Sequence, residues 1–219
     1  MALVLYGAAL SPFVRKVRAC LLEKQLEYSN EMIVPGQQPQ WFYDISPLGR
    51  IPALRDGDFT LCDSAVICAY LAEKYPQNNS LLGNTVEESA RIRWFEKYAD
   101  YEVAPLATFT VFFNRVLAKS MGGSCDEAAI EKALVALEKH YDYLEAQLAG
   151  QEYFVGNRFS LADLAVVTHW VNLSYAKEQL NADKWPKLAA HKERILARDS
   201  LQQLLAEERK LLVRLALQN

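Results

Sequence analysis

The stretch LYGAALSPFVRKV, residues 5–17, passes directly from a strand pattern to a helix pattern. Residues 3–6 form a short apolar run that ends at a glycine, which is typical of a buried strand. Apolar residues then recur at helical spacing with Arg15, Lys16 and Arg18 between them, which predicts an amphipathic helix. The apolar positions of that helix are Phe13, Val14, Val17, Cys20 and Leu21. A strand that leads into a helix favours an α/β domain.

The following residues continue the alternation of strands and helices. Residues 28–34 predict a second strand, and residues 40–45 predict a short helical or irregular piece. Two apolar runs flank Asp56-Gly57, which favours a hairpin turn. A last helical pattern ends before Pro76, with apolar positions Val66, Ile67, Tyr70 and Leu71. The order strand, helix, strand, helix, hairpin, helix predicts a small α/β domain.

Beyond a polar, turn-prone segment the whole pattern is helical. We predict an α/β domain over residues 1–77, a linker over residues 78–87, and an all-α, helical-bundle domain over residues 88–219. The Met-Gly-Gly-Ser-Cys segment at residues 121–125 separates two long helical patterns. Ser160-Leu-Ala-Asp163 stands before an apolar run, and this spacing is typical of a helix capping box.

The composition argues against several classes of function. The chain has 219 residues, of which 51% are hydrophobic, and its net charge of −3 is spread so that neither half is basic. We therefore expect no binding to nucleic acid or to an anionic membrane. No apolar stretch approaches the roughly 20 residues that span a bilayer, and the N-terminus lacks the basic flank of a signal peptide, so we expect a cytoplasmic protein. The cysteines and histidines show no metal-site spacing, and we expect no metal.

Ser11-Pro12 lies between the first strand and the first helix, and two interpretations are open. Pro12 suits the first helical turn and Ser11 suits the N-cap, so a capping role alone is the simpler interpretation. In the other interpretation, the hydroxyl donates a hydrogen bond to a thiolate at the positive end of the helix. Stabilising the thiolate lowers the pKa of the thiol and raises its reactive fraction at neutral pH.

Two further dipeptides stand out in the same domain. Ile51-Pro52 precedes a strand, and the trans isomer is the commoner one, but a cis bond would turn the backbone of Ile51 toward an extended peptide. Asp63-Ser64 precedes a helix and either caps it or holds an amino-acid head group. In the second case Ser64 and the helix amides bind the carboxylate, and Asp63 faces the ammonium group.

Taken together, these motifs resemble the glutathione-binding domain of the cytosolic glutathione transferases. The resemblance rests on residues 5–17, on Pro47-Leu-Gly-Arg-Ile-Pro-Ala-Leu54 and on Leu61-Cys-Asp-Ser-Ala-Val-Ile67. Ser160-Leu-Ala-Asp163 is similar to the family's structural capping box, so the resemblance covers nearly the whole chain. It is strongest to the serine-type classes, including tau-like and unclassified bacterial members. It implies a thioredoxin-like first domain, an all-helical second domain and glutathione S-transferase activity.

The resemblance also implies a role for each matching position. Ser11 would activate the glutathione thiol. Ile51, beside a cis-proline, would bond the cysteinyl part of the peptide, and Asp63 with Ser64 would hold the γ-glutamyl end. The full set implied in binding glutathione is Gln38, Arg50, Ile51, Pro52, Asp63 and Ser64. Gln38 departs from the lysine common at its position, and it would serve the glycine carboxylate together with Arg50. Glutathione is then a cosubstrate, no further cofactor is implied, and a homodimer is expected.

A pocket for a hydrophobic electrophile is implied between the two domains. Its candidate walls are apolar and aromatic: Phe13, Tyr98, Tyr101, Pro105, Phe109, Phe113 and Trp170. Each of these side chains can instead belong to the core. The leucine-rich tail at residues 201–217 either covers this pocket or packs on the helical domain.

Two alternatives remain open for the function. Relatives of the fold can act as regulatory or binding proteins without transferase activity, although these often lose residues that this chain keeps: Ser11, Pro52, Asp63 and Ser64. A glutathione-dependent isomerase, reductive dehalogenase or peroxidase is the other alternative. The chain has neither the double-serine-cysteine segment of the isomerase-like class nor a cysteine at the thiol site, and both absences count against it.

Overall fold

The structure of the protein is a computed structural model that describes residues 3–77, 80–118 and 121–217. The α/β part consists of β1 (Leu3–Tyr6), α1 (Pro12–Glu23), β2 (Tyr28–Glu31), a 3₁₀ helix (Gln40–Asp44), β3 (Ala53–Asp56), β4 (Phe59–Cys62) and α2 (Ser64–Lys74). The helical part consists of α3 (Val86–Tyr98), α4 (Ala104–Leu106) between two π-helical segments (Ala99–Val103 and Ala107–Leu117), α5 (Glu127–Gln147), α6 (Leu161–Tyr175), α7 (Pro186–Leu196) and α8 (Asp199–Leu217). The predicted fold class, α/β followed by all-α, is confirmed.

The four strands form one mixed sheet in the order β2-β1-β3-β4. Strand β1 runs parallel to β2 and antiparallel to β3, and β3 forms the predicted hairpin with β4. Strand β2 is shorter than the predicted residues 28–34 because only four of its residues pair with β1. On the face of the sheet opposite α1, the 3₁₀ helix closes a small separate core of Tyr6, Ile33, Phe42 and Ala53.

Helix α1 is buried on both of its faces. Val14 and Val17 pack with Leu5 of the sheet in the main core. An amphipathic helix normally turns its charged face to water. Here Arg15 and Lys16 are 0% and 1% exposed, because the helical part of the chain covers that face. The amphipathic pattern was predicted correctly, but its basic side is buried against other helices and does not face solvent.

The basic side chains of α1 meet carboxylates from distant helices. The Arg15 guanidinium donates to both carboxylate oxygens of Glu208 on α8, with Nη2 at 2.6 Å, and to the carbonyl of Thr168 on α6 at 2.7 Å. Lys16 lies 3.4 Å from Glu96 of α3. The predicted tail at 201–217 is thus helix α8, and it packs on α1 of the first domain as well as on α7.

Two helix boundaries show how local capping sets the elements of the second part. Thr85 caps α3, and its Oγ1 accepts from the backbone N–H of Glu88 at 3.2 Å, so this helix begins inside the predicted linker. The predicted capping box of α6 is confirmed. Asp163 accepts from the backbone N–H of Ser160 at 2.8 Å, and Ser160 Oγ in turn accepts from the backbone N–H of Ala162. The polar segment at residues 121–125 separates the second π-helical segment from α5, as predicted.

Candidate functional site

The register of the sheet assembles the predicted site at one end of the strands. Tyr6 at the end of β1 pairs with Ala53 at the beginning of β3, and Ala53 pairs with Cys62 at the end of β4. Pro52 and Asp63 are the next residues beyond those pairs, and the loop to Ser11 leaves β1 at the same place. Positions that are far apart in sequence therefore meet at one edge of the first domain.

Ser11 occupies the N-cap of α1. Its hydroxyl oxygen accepts a long hydrogen bond of 3.4 Å from the backbone N–H of Val14, and Pro12 follows in the first helical turn. The side chain is half-buried. Within the described parts of the chain, no oxygen accepts the proton of the Ser11 hydroxyl. The hydroxyl is therefore free to donate to a negatively charged atom placed at the positive end of α1.

Gly7 brings the loop before Ser11 close to Ile51. A Cβ at Gly7 would lie 2.4 Å from Val14 Cγ2 and 3.5 Å from Ile51 Cβ, so only glycine allows this approach. The Ile51–Pro52 peptide bond is cis, as the resemblance implied and against the isomer that is commoner in general. The loop that ends at Ser11, the serine predicted to activate a thiol, therefore lies close to the backbone predicted to bind an extended peptide.

Asp63 and Ser64 lie at the N-terminus of α2. Asp63 Oδ1 accepts from the backbone N–H groups of Ala65 and Val66 at 2.9 and 3.1 Å, so the capping interpretation describes this carboxylate. Its backbone φ is 75°, which is uncommon for a residue other than glycine. Asp63 is exposed and Ser64 is buried. An exposed carboxylate beside a helix N-terminus can still receive an ammonium group.

Gln38 and Arg50 are brought together on the far side of the site. The Gln38 side-chain amide donates to the carbonyl of Gly49 at 2.6 Å, which places it beside Arg50. The carbonyl of Arg50 accepts from the Ser46 hydroxyl at 2.7 Å, while its side chain is exposed. An exposed guanidinium next to an amide suits a carboxylate ligand.

The aromatic candidates divide between two places. Phe13 stacks on Phe109 with ring centroids 6.0 Å apart, so the site beside Ser11 continues into an aromatic surface on the helical part. Tyr101 and Phe109 are 68% and 60% exposed, and Pro105 between them is exposed too. Their spacing of four residues keeps all three on one side of the helical segment. Phe113 extends the same row and is 39% exposed.

Trp170 and Tyr98 lie elsewhere. Trp170 is 2% exposed and packs inside the helical bundle against Tyr141 and His191, so it is a core residue and not a wall of the surface beside Phe13. The core interpretation, which the sequence left open for Trp170, describes it here, because α6 is buried along residues 161–173. Tyr98 is half-buried and its hydroxyl bonds His140 Nδ1 at 2.7 Å.

Sequence reasoning missed Thr108 and His169. His169 lies on α6, its ring meets the Phe13 ring edge-on at 5.4 Å, and its Nδ1 is 2.9 Å from Thr108 Oγ1. Burial lowers the pKa of His169 to about 3, and Lys16 and Arg15 add to the effect. No sequence signal links these residues, since a lone histidine in an apolar helix is typical of packing.

Other chemistry is not indicated in the described part of the chain. Cys20, Cys62, Cys68 and Cys125 are free thiols. No group of three or more metal-ligating side chains comes together among the described residues. No helix among them has the length and apolar character to cross a bilayer.

Comparison with known proteins identifies the family. The model described as "Glutathione S-transferase, N-terminal domain" matches residues 5–79, and that described as "Glutathione S-transferase, C-terminal domain" matches residues 103–199. Glutathione S-transferase F10 of Arabidopsis thaliana is 38% identical over 170 residues, covering 75% of this chain and 78% of the relative. The chain belongs to the glutathione S-transferase family.

Solved structures agree with this assignment. Glutathione transferase F7 from Populus trichocarpa superposes with a TM-score of 0.81 at 28% identity, covering 94% of this chain and 98% of that one. A glutathione S-transferase I bound with lactoylglutathione superposes with a TM-score of 0.83 at 27% identity, covering 94% and 99%. The resemblance stated from the sequence is confirmed at the level of the family and of the fold.

Proposed function

We propose that the protein is a glutathione S-transferase that activates the glutathione thiol for attack on a hydrophobic electrophile. The observation that carries the proposal is the Ser11 hydroxyl, which lies at the N-terminus of α1 with a proton that no described oxygen accepts. A thiolate placed there accepts a hydrogen bond from that hydroxyl and is also stabilised by the helix dipole. In a substitution on an aryl halide, the C–S bond forms, halide leaves and the thiol proton passes to water.

The rest of the sheet edge supplies the grip on glutathione. The backbone beside the cis Ile51–Pro52 bond would pair with the cysteinyl part, and exposed Asp63 would face the γ-glutamyl ammonium group. Ser64 would hold the neighbouring carboxylate at the N-terminus of α2, because the N–H groups of Ala65 and Val66 already donate to Asp63. Arg50 and Gln38 would hold the glycine carboxylate. Fixing the peptide at both ends holds the sulfur in a reactive position, and this is the main contribution of binding to the rate.

The second substrate would lie between the first domain and the exposed aromatic row of the helical segment. Phe13 and Phe109 supply stacked rings, with Tyr101 and Pro105 further along. Glutathione serves as cosubstrate in this family, and the mechanism needs no other cofactor. A cytoplasmic homodimer is proposed on the family resemblance alone. Neither the regulatory alternative nor the isomerase or peroxidase alternative is favoured by any feature of the site.

The test compares Ser11→Ala with wild type in glutathione binding by calorimetry and in conjugation of 1-chloro-2,4-dinitrobenzene. Loss of one preorganised donor at a reacting atom costs roughly 10²- to 10³-fold in kcat, so we expect conjugation to fall by about that factor while glutathione still binds. Thr85→Ala is the matched control, because it removes an N-cap of the same kind at α3, outside the site. Undiminished conjugation by Ser11→Ala would exclude Ser11 as the donor, and absence of glutathione binding in wild type would exclude the transferase.

A further inference from the structure

A buried imidazole lies directly behind the proposed electrophile surface. His169 on α6 is 1% exposed, and its Nδ1 shares a hydrogen bond of 2.9 Å with the hydroxyl of Thr108. Thr108 is 6% exposed and belongs to the π-helical segment Ala107–Leu117, next to Phe109 in the sequence. The bond therefore joins two helices of the second domain at a point that adjoins the aromatic row.

The His169 ring contacts the buried side of the Phe13 ring. It meets the ring of Phe13 edge-on, with centroids 5.4 Å apart and planes at 76°. Phe13 in turn stacks on Phe109 at 6.0 Å with planes at 24°. The Phe13 ring is thus held between an exposed partner on one side and a buried partner on the other. A side chain contacted in this way loses most of its rotational freedom before any ligand binds.

The chemistry of the imidazole argues for a geometric role. Its pKa is lowered to about 3, first by burial and then by Lys16 and Arg15, so the ring stays neutral at physiological pH. Among the described residues no carboxylate bonds it to form an acid–base pair, and the Phe13 ring contacts both it and the exposed ring of Phe109. A neutral ring fixed by one hydrogen bond can orient its neighbour but does not change charge during turnover.

We propose that the Thr108–His169 hydrogen bond fixes the ring of Phe13 and thereby makes the protein selective for flat aromatic electrophiles over small aliphatic ones. The inference rests on the proposed transferase function and adds a positioning pair to it. A flat ring stacks on an aromatic surface that is already ordered, so ordering costs little on binding. A small aliphatic electrophile gains no stacking and depends only on the activated thiol.

The test uses two variants that remove the hydrogen bond and keep the packing. Thr108→Val replaces the hydroxyl by a methyl group, and His169→Phe keeps a ring but removes Nδ1. Thr168→Val is the matched control, because Thr168 is a buried threonine adjacent to His169 whose hydroxyl donates to Ala165 of its own helix. Conjugation of glutathione with 1-chloro-2,4-dinitrobenzene and with crotonaldehyde is measured for each protein, with thermal unfolding alongside.

We expect both variants to raise the KM for the aryl chloride roughly three- to tenfold, the value of one typical hydrogen bond. The kcat, the KM for glutathione and the crotonaldehyde reaction should stay within about twofold of wild type. Equal losses with both electrophiles, or a change in the aryl chloride KM shared by Thr168→Val, would overturn the inference because that outcome indicates a merely structural bond. A wild type that conjugates neither electrophile would instead reject the proposed function, so the two failures are distinguishable.

Discussion

Ser11 and Ser160 are both N-cap serines, but they differ in whether the hydroxyl proton is used in a hydrogen bond with a described residue. Ser160 is fully buried, accepts from the backbone N–H of Ala162 and donates to Asp163 Oδ2 at 3.0 Å. Ser11 is half-buried, accepts a single bond of 3.4 Å, and has no described acceptor for its proton. The residue three positions into α6 is a carboxylate, whereas the corresponding residue of α1 is Val14.

This difference separates a structural cap from a chemical one. A hydroxyl whose donor and acceptor capacities are both used stabilises its helix and has none left for a ligand. A hydroxyl with an unused proton at a helix N-terminus contributes less to stability and can bind an anion. An N-cap serine can therefore have a structural or a chemical role. The third residue of the helix decides which, because a carboxylate there accepts the hydroxyl proton and a valine does not.

The largest effect is expected when the complete cap is broken at its carboxylate. Asp163 accepts from Ser160 and from Phe154 N–H, and it bonds His191 Nε2 at 2.8 Å, all in the interior. In Asp163→Asn an amide N–H₂ faces buried donors, so unfolding free energy should fall by about 3 kcal/mol. Denaturant unfolding measures it, with Asp126→Asn, at the exposed cap of α5, as control. A fall of less than about 1 kcal/mol would show that the buried box is not the tighter cap.

Replacing each serine by alanine compares the two caps directly. Ser160→Ala should lower the unfolding free energy by about 2 kcal/mol, because the buried cap is complete. Ser11→Ala should lower it by about 0.5 kcal/mol, because its bond is long and half-exposed, and the proposed function predicts that it also loses most conjugation. Denaturant melts and the conjugation assay on both variants separate the effects. Equal destabilisation would contradict the distinction between the two serines.

The last comparison concerns pH and helix α6, which begins after Ser160. The pKa of His169 is lowered by burial to about 3, below the value of the unfolded chain. Below about pH 6.5 the unfolded chain binds a proton that the folded protein does not. The free energy of unfolding therefore decreases as the pH is lowered from about 6.5 to about 3. Between pH 7.5 and 5.5 this loss is about 1 kcal/mol for one histidine.

His169→Phe should lose that part of the pH dependence, which denaturant unfolding at the two pH values detects. The comparison with wild type is needed because burial also lowers the pKa of His140, which acts in the same direction. The raised pKa values of buried Glu96 and Asp100 act in the opposite direction, because these carboxylates gain protons more readily in the folded protein as the pH is lowered. An unchanged pH dependence in the variant would mean that His169 is not the residue responsible. His140→Gln measures the part of the pH dependence that His140 contributes.

Much of the fold and of the candidate glutathione site could be predicted from the sequence, because the signals of both are local. The strand and helix around Gly7, the hairpin at Asp56-Gly57 and the capping box at Ser160 each depend on a few neighbouring residues. The site residues could be named because each adjoins such an element. The beginning of α3 was missed although Thr85 and Glu88 have capping-box spacing, since the polar surroundings favoured a linker.

The surroundings of Phe13 and of Trp170 could not be read in this way. Both are aromatic residues within helical sequence patterns. The hydrophobic pattern alone does not distinguish a core position from a pocket position for either of them. Packing places Trp170 within a helix buried on every side and leaves Phe13 beside the exposed ring of Phe109. Burial of a helix face depends on which other helix covers it, and that information is distributed over the whole chain.

The sequence by itself determined the order of elements, the two domain types, the helix caps and the candidate residues at the sheet edge. The tertiary structure alone decided what faces the basic side of α1, where Arg15 bonds Glu208 across 193 positions of the chain. It also decided that Thr108 and His169 meet behind Phe13. Caps, turns and periodicity act over a few residues, whereas the pairing of buried polar groups is fixed only when distant helices pack and exclude water.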